Sequence, residues 1–309
     1  GRGCLPPGLA KFCSKVYRKS QSLQFIDTIN IIIDVINLTT KPRRRTIDLY
    51  RNQIRRLAME TETPLLIINN IYKSFGHVQA LRGASFSAPR GKVTAIVGDN
   101  GSGKSTLAKI ISGCLKPDSG EITINGRTYP SLTNHQAIYE GNIGTVYQDL
   151  ALDNLKNAYE NIFLGREDIH FGVFLNRKKM KEKAAALFQA LAIDIPDMEL
   201  PVGSMSGGQR QAIAIARAID MDRQILIFDE PTSAMGMKET QHTMDLFQRL
   251  KDEGRTILLI SHNLFQVFDI ADRIAVLDKG RFVDTFSTAE SSPQKLHDRI
   301  VKKEMELEQ

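Results

Sequence analysis

Short, continuous apolar runs punctuate the chain from about residue 90 onward. Val93–Val97, Ile225–Phe228, Ile257–Ile260 and Ile274–Leu277 are too short for helices and show no polar alternation. Runs of this kind are typical of parallel strands that are covered on both faces. Lys178–Leu191, rich in Ala, Lys, Leu and Glu, instead predicts a helix. The pattern predicts an α/β domain with parallel strands in its core.

The first apolar run leads directly into a glycine-rich segment, Gly98-Asp99-Asn100-Gly101-Ser102-Gly103-Lys104-Ser105-Thr106. This segment fits the phosphate-loop pattern G-x-x-x-x-G-K-[ST]. Glycines let backbone N–H groups point at phosphate oxygens without Cβ clashes, and a helix that begins there presents its positive end to the anion. Lys104 is expected to reach the β- and γ-phosphates, and the Ser105 hydroxyl to bind Mg²⁺. The segment therefore predicts a nucleotide phosphate site.

Two adjacent carboxylates, Asp229 and Glu230, follow the apolar run Ile225–Phe228. The carboxyl ends of parallel strands form the crevice in which open α/β sheets bind ligands. Asp229 suits the Mg²⁺ shell, directly or through water, and Glu230 is placed to take a proton from an attacking water. An acidic pair alone usually marks only a solvated strand end. The apolar run and the upstream phosphate loop favour the functional interpretation here.

A third motif, Ser206-Gly207-Gly208-Gln209-Arg210-Gln211, precedes the helical stretch Ala212–Ala218. Taken alone, Ser-Gly-Gly before a helix is an ordinary N-cap and turn. Its place between the phosphate loop and Asp229 resembles the signature of ATP-binding cassette (ABC) ATPases. The resemblance extends over residues 64–290, and three further positions fit the family's motifs in order. Phe75 resembles the aromatic that stacks on adenine, Gln148 the Q-loop glutamine and His262 the switch histidine.

The resemblance implies a P-loop NTPase ABC cassette. Its antiparallel β-subdomain would include Leu65–Ile68 and Ala84–Ser87, and a helical subdomain would be inserted over about 149–205. The implied cofactors are ATP and Mg²⁺. The implied metal-binding residues are Ser105, Gln148 and Asp229, and the implied catalytic residues are Glu230, His262 and Gln148.

The resemblance also implies pairing, because cassettes of this family bind head to tail in a homodimer or with a related cassette. Each ATP then lies between one phosphate loop and the other subunit's signature, which here is Ser206, Gly207, Gly208 and Gln209. His262 would contact the γ-phosphate and the attacking water. The residue chemistry agrees, since a helix N-terminus at Ser206 is a second anion site in a chain that already has one.

Two departures from the family pattern refine the prediction. Met205 stands where the signature usually opens with leucine, a volume-conserving change. Gly236 replaces the aspartate that usually helps couple the two sites, as it does in single-cassette sugar importers. The segments 161–166 and 266–273 also resemble the ribose, xylose and fructose-type members. A monosaccharide importer is therefore implied, with separate permease subunits, a periplasmic or extracellular sugar-binding protein, and a place at the cytoplasmic face of the membrane.

Composition sets limits on these interpretations. With 309 residues, 42% hydrophobic and 25% charged, the chain is expected to be globular, and no apolar run approaches the roughly 18 residues that cross a bilayer. A transport role therefore needs separate membrane subunits. Three cysteines without metal or disulfide spacing fit a reducing compartment.

Charge is concentrated in the first 58 residues, which hold 12 Lys or Arg against 3 Asp, a net +9, while the remainder carries −3. We expect residues 1–58 to be a basic extension, non-native or disordered, upstream of a start at Met59. The alternative is an arm that binds a membrane surface or nucleic acid. Residues 291–309 are expected to form a C-terminal tail.

Two other functions stay open at this stage. One is a soluble ABC ATPase that acts on nucleic acid or ribosomes. Such proteins usually carry two cassettes or a long coiled-coil insert, and this chain has neither. We therefore expect no nucleic-acid partner. The other is the ATPase of an exporter.

Overall fold

The computed structural model describes residues 64–170, 174–195, 197–290 and Ser292. These residues all belong to the second of two units into which the chain divides, Thr63–Gln309. The predicted basic extension 1–58 lies outside the described residues, and so does the predicted tail except for Ser292.

The described residues form twelve strands: β1 Pro64–Phe75, β2 Val78–Pro89, β3 Val93–Val97, β4 Ser119–Ile124, β5 Arg127–Tyr129, β6 Ile143–Val146, β7 Ile169–His170, β8 Phe174–Leu175, β9 Ile225–Asp229, β10 Thr256–Ile260, β11 Arg273–Asp278 and β12 Arg281–Ser287. They also form six α-helices: α1 Lys104–Ile111, α2 Ala158–Ile162, α3 Arg177–Leu191, α4 Gly207–Asp220, α5 Met237–Asp252 and α6 Leu264–Ile270. A π-helical turn covers Gln136–Glu140, and 3₁₀ turns cover Val202–Ser204 and Thr288–Glu290.

The central sheet has six strands in the order β12-β11-β3-β10-β9-β6. Neighbours from β11 to β6 pair in parallel, and only β12 is antiparallel, on β11. All four apolar runs named above are strands of this sheet. Strands β3, β9 and β10 are buried along their whole length, as predicted from their continuous hydrophobicity.

Two hydrophobic cores cover the two faces of this sheet. Alternate residues of β3 divide between them: Ala95 packs in the core that holds α4 and α5, whereas Ile96 packs in the core that holds α1 and β1. The second core joins the central sheet to a four-stranded antiparallel sheet of order β2-β1-β4-β5. The predicted α/β class with an antiparallel subdomain is confirmed.

The segment between β6 and β9 is mainly helical. The predicted helix Lys178–Leu191 is present as α3, beginning one residue earlier, after an Asn176 N-cap. Helix α2 begins with a capping box in which Asn157 and Glu160 satisfy each other's backbone N–H groups. A short hairpin, β7 and β8, precedes α3. We retain the helical-subdomain boundaries of about 149–205 as a prediction.

Candidate nucleotide site

A cavity of about 790 Å³ opens at the carboxyl ends of the parallel strands. The loops after β3, β6, β9 and β10 all reach it, as expected for an open α/β sheet. The cavity brings together most of the residues predicted from sequence: Gly98, Asp99, Asn100, Gly101, Gly103, Lys104, Ser105, Thr106, Gln148, Asp229, Glu230 and His262. Ser102, the remaining phosphate-loop residue, is buried.

Glycine is required at the start of the phosphate loop. Gly98 has φ +153°, and a Cβ there would lie 2.0 Å from the carbonyl oxygen of Leu277 on β11. The loop therefore packs directly against the neighbouring strand. It then turns into α1, which begins at Lys104 with its N-terminus facing the cavity. This geometry presents backbone N–H groups and the positive helix end to an anion.

Lys104 is folded back over the loop in the structure. Its Nζ donates hydrogen bonds of 2.8 Å to the carbonyl oxygens of both Gly98 and Asp99. Burial lowers the pKa of Lys104, and the nearby carboxylates of Glu230, Asp229 and Asp99 oppose that shift. The amino group is thus held at the cavity wall, where phosphate oxygens can replace the two carbonyl oxygens as its acceptors.

Asp229 ends β9 with only 2% of its surface exposed. Burial raises the pKa of this carboxyl, the Ser105 hydroxyl lowers it by hydrogen bonding, and Glu230 raises it further. Within the described residues, Asp229 Oδ1 is buried and has no hydrogen-bond partner. A buried carboxylate oxygen without a partner is costly unless a cation satisfies it.

This oxygen donor set fits Mg²⁺. The ion prefers oxygen ligands and is commonly held by one or two protein groups together with substrate phosphates. No cluster of three or more His, Cys, Asp or Glu side chains suited to a metal occurs in the described part of the chain, so a metal held by protein carboxylates alone is not indicated there. Asp229 and Ser105 match the sparse set of protein ligands typical of a nucleotide-bound ion, and their binding of Mg²⁺ stays a prediction.

Glu230 adopts a strained backbone conformation that aims its carboxylate into the cavity. Its φ of +53° lies in the left-handed region, which is unfavourable for a residue with a long side chain. Three hydrogen bonds hold it there: its N–H donates to the Ile260 carbonyl at 2.9 Å, and its own carbonyl accepts from the N–H and hydroxyl of Ser233. Strain of this kind is typical of functional positions.

The Glu230 carboxylate pairs with the switch-histidine candidate. Oε2 lies 2.8 Å from Nδ1 of His262, which follows β10, the strand next to β9. The Glu230 side chain is 13% exposed, whereas the His262 side chain is 65% exposed. An oriented carboxylate beside a solvent-accessible imidazole can accept a proton from a water held in the cavity.

The signature residues do not line this cavity. Ser206 is the N-cap of α4: its hydroxyl accepts from the Gln209 N–H at 3.2 Å, and the Gln209 side chain accepts from the Ser206 N–H at 3.0 Å. Gly207 and Gly208 form the first turn. The ordinary N-cap interpretation is therefore correct for the structure, and a phosphate role for these residues requires a second molecule.

Phe75 also lies outside the cavity lining, at the end of β1, where it is 50% exposed and Lys73 Nζ lies 5.7 Å from its ring centroid. Its stacking on adenine stays a prediction. Five lining residues were not predicted from sequence: Val78, Gln79, Ala80, Ser233 and Leu264. The first three belong to β2 of the other sheet, and no local pattern places that strand beside the phosphate loop.

Comparison with known proteins places these features in a family. The family model "ABC transporter" matches residues 81–233. The chain is 45% identical over 219 residues to the xylose/arabinose import ATP-binding protein XylG of Sulfolobus acidocaldarius, an alignment that covers 71% of this chain and 86% of that protein. It is 39% identical over 227 residues to the fructose import ATP-binding protein FrcA of Rhizobium meliloti, covering 71% and 87%.

Other relatives are longer, and the chain spans about half their length. One is a putative ribose/galactose/methyl galactoside import ATP-binding protein 2 of Burkholderia cenocepacia, 36% identical over 249 residues, covering 80% of this chain and 48% of that protein. Among solved structures, the chain is similar to the ATP-binding cassette MJ0796, a dimer in a post-hydrolysis state bound to ADP and Pi. The two superpose with a TM-score of 0.64 at 26% identity, and the superposition covers 72% of this chain and 98% of that one. The chain belongs to the ABC transporter family of ATP-binding proteins and is an ATPase.

Proposed function

We propose that this ATPase energises uptake of a monosaccharide through separate permease subunits. The observation that carries the proposal is the 45% identity to a xylose/arabinose import ATP-binding protein over 86% of that protein's length. The second relative of similar length is named for fructose import. Both names concern small sugars, and Gly236 matches the glycine variant predicted for single-cassette sugar importers.

In the proposed mechanism the phosphate loop and Lys104 bind the β- and γ-phosphates at the N-terminus of α1. Asp229, Ser105 and Gln148 would hold Mg²⁺, which neutralises phosphate charge when bound. Glu230 accepts a proton from the attacking water. His262, 2.8 Å from Glu230, keeps the carboxylate and the water in position. Positioning and electrostatic stabilisation account for most of the rate in phosphoryl transfer, so the preset Glu230 conformation is the expected device.

The proposed working unit contains two cassettes. Ser206 and the first N–H groups of α4 lie outside the chain's own cavity, although a capped helix N-terminus is a suitable anion site. A second copy, or a related cassette, can bring its α4 to this chain's phosphate loop. The dimeric state named for the solved cassette supports a working unit of two cassettes.

The proposed membrane partners follow from the family. Among the described residues, no helix is both long and apolar enough to span a bilayer. From the named relatives, which are import ATP-binding proteins, we assign translocation to separate permease subunits and place the ATPase at the cytoplasmic face of the membrane beside them. A periplasmic or extracellular binding protein would supply the sugar, and the sugar's identity is expected to be set by that protein and the permease.

The test is reconstitution of this chain with candidate sugar-permease subunits. The complex in proteoliposomes should hydrolyse ATP faster when a sugar-loaded binding protein is added, and it should accumulate the labelled sugar. The same complex with Glu230→Gln controls for passive leak. ATP-dependent loss of a preloaded sugar or other solute, without uptake, would contradict import.

A further inference from the structure

The loop that carries Gln148 is hydrogen-bonded at one end to the residue after the phosphate-loop helix and at the other end to the helix that begins after Ser206. Gln148 follows β6 and lines the cavity with Asp229 and Ser105. Within the described residues, its side-chain amide has no hydrogen-bond partner, so the neighbouring residues must set its position. Tyr147 lies on one side of it, and the carbonyls of Leu150 and Ala151 lie on the other.

Tyr147 fixes the first end. Its hydroxyl donates a 2.7 Å hydrogen bond to Ser112 Oγ and lies 3.0 Å from Cys114 Sγ. Ser112 is buried and directly follows α1, the phosphate-loop helix. The loop therefore begins at a fixed point on the helix that presents Lys104 and Ser105.

Arg217 fixes the second end. Its guanidinium donates to the carbonyls of Leu150 and Ala151, at 2.7 and 2.9 Å. Ala151 has φ +48°, a left-handed conformation that the two hydrogen bonds help to hold. Arg217 lies on α4, the helix that begins with the signature residue Ser206. The loop therefore ends on the element that is proposed to contact the other subunit's ATP.

We propose that Tyr147 and Arg217 are positioning residues that set the location of Gln148, one from the phosphate-loop helix and the other from the signature helix. This inference rests on the proposed role of Gln148 in hydrolysis. When α4 is displaced, Arg217 pulls the carbonyls of Leu150 and Ala151 with it, because its guanidinium is hydrogen-bonded to both. The hydrogen bond of Tyr147 to Ser112 stays in place. Gln148, between the two, changes its position relative to Asp229. The contacts thus give the signature helix a direct mechanical connection to this chain's own nucleotide.

The test uses two conservative variants with matched controls. Tyr147→Phe removes one hydroxyl, and Tyr159→Phe removes a comparable one that contacts Glu199 in the helical segment. Arg217→Lys removes the two-carbonyl fork, and Arg249→Lys removes a similar fork, on Ala190 and Leu191. Thermal unfolding of all four variants shows whether each pair is equally folded.

Tyr147→Phe and Arg217→Lys should each lower kcat by about 3- to 10-fold, the range expected for one or two lost hydrogen bonds, with KM changed by less than about 2-fold. Their controls should stay within about 2-fold of wild type. A fluorescent ATP analogue gives a readout that is independent of turnover. Its half-maximal binding should need at least about 3-fold more Mg²⁺ in the two positioning variants, whereas its affinity in EDTA should not change.

The Gln148→Ala background separates positioning from general structural damage. If Tyr147 and Arg217 act through Gln148, neither substitution lowers kcat further in that background. Additive losses there, or positioning variants that match their controls, would overturn the inference while leaving the proposed function intact. Wild-type hydrolysis by Gln148→Ala itself would instead remove the proposed role of Gln148, and the inference with it.

Discussion

Replacement of Glu230 by glutamine separates the chemistry of this residue from its backbone strain. The change keeps the side-chain length and a hydrogen bond to water but removes the proton acceptor that lies 2.8 Å from His262. A general base contributes roughly 10²- to 10⁴-fold in rate. At ~1.36 kcal/mol per tenfold, this is about 3–5 kcal/mol of barrier. Steady-state phosphate release should therefore fall by at least about 100-fold, while ATP binding survives.

Stability supplies the second half of this prediction. Glutamine retains the unfavourable φ of +53° and can still hydrogen-bond to His262, so the free energy of unfolding should change by less than about 1.5 kcal/mol. Glu230→Ala and Glu230→Gly both lose the pair with His262, and only glycine relieves about 1–2 kcal/mol of left-handed strain, at a cost of about 0.5–1 kcal/mol in chain entropy. The glycine variant should thus be more stable than the alanine variant by up to about 1.5 kcal/mol, and both should be inactive.

Urea unfolding gives these free energies of unfolding. Far-UV circular dichroism is the suitable signal, because the chain contains no tryptophan whose fluorescence could be followed. Near-normal turnover of Glu230→Gln would refute the assignment of the base. A Glu230→Gly variant that is less stable than Glu230→Ala would refute the claim that the fold holds Glu230 under strain for function.

The remaining predictions concern the metal ligand and the phosphate loop. Because burial raises the folded-state pKa of Asp229 above its unfolded value of 3.8, its charged form opposes folding at higher pH. Asp229→Asn should therefore raise the unfolding midpoint of the nucleotide-free, Mg²⁺-free protein at pH 7, and it should weaken Mg²⁺-dependent ATP binding. The stability gain should disappear below about pH 4, where the wild-type carboxyl is protonated. A stability difference between variant and wild type that is the same at all pH values would contradict this prediction. Gly98→Ala should lower the free energy of unfolding by about 2–5 kcal/mol and abolish ATP binding, because backbone strain adds to the clash with Leu277. The control Gly126→Ala, at φ +79° with open space around it, should cost only about 1–2 kcal/mol and bind ATP normally. Equal losses of stability in urea unfolding would argue against the close approach of Gly98 to Leu277.

The sequence was sufficient for features that depend on local pattern. The buried strands, the phosphate loop and the carboxylate pair at Asp229 are each recognisable within ten residues, because continuous burial, anion binding and strand ends impose local requirements. Helix α3 was predictable for the same reason, since propensity and periodicity agree there.

Features that depend on long-range packing were not predictable in this way. Val78 and Ala80 line the cavity because β2 of the antiparallel sheet lies against the phosphate loop, and nothing near them in sequence indicates this. The left-handed conformation of Glu230 is likewise invisible in sequence, because the Ile260 carbonyl that helps hold it comes from a neighbouring strand. The contact of Arg217 with the loop after Gln148 crosses 66 residues.

The central claim is that each ATP is completed by a second subunit, and mixing two inactive variants tests it most directly. Lys104→Ala removes the phosphate contact, and Ser206→Arg blocks the signature, so each variant alone should be inactive. An equal mixture forms mixed dimers that keep one site with both faces intact, so ATPase activity should recover to at most about one quarter of wild type. Wild-type turnover by Ser206→Arg alone, or a mixture no more active than its parents, would contradict the shared site.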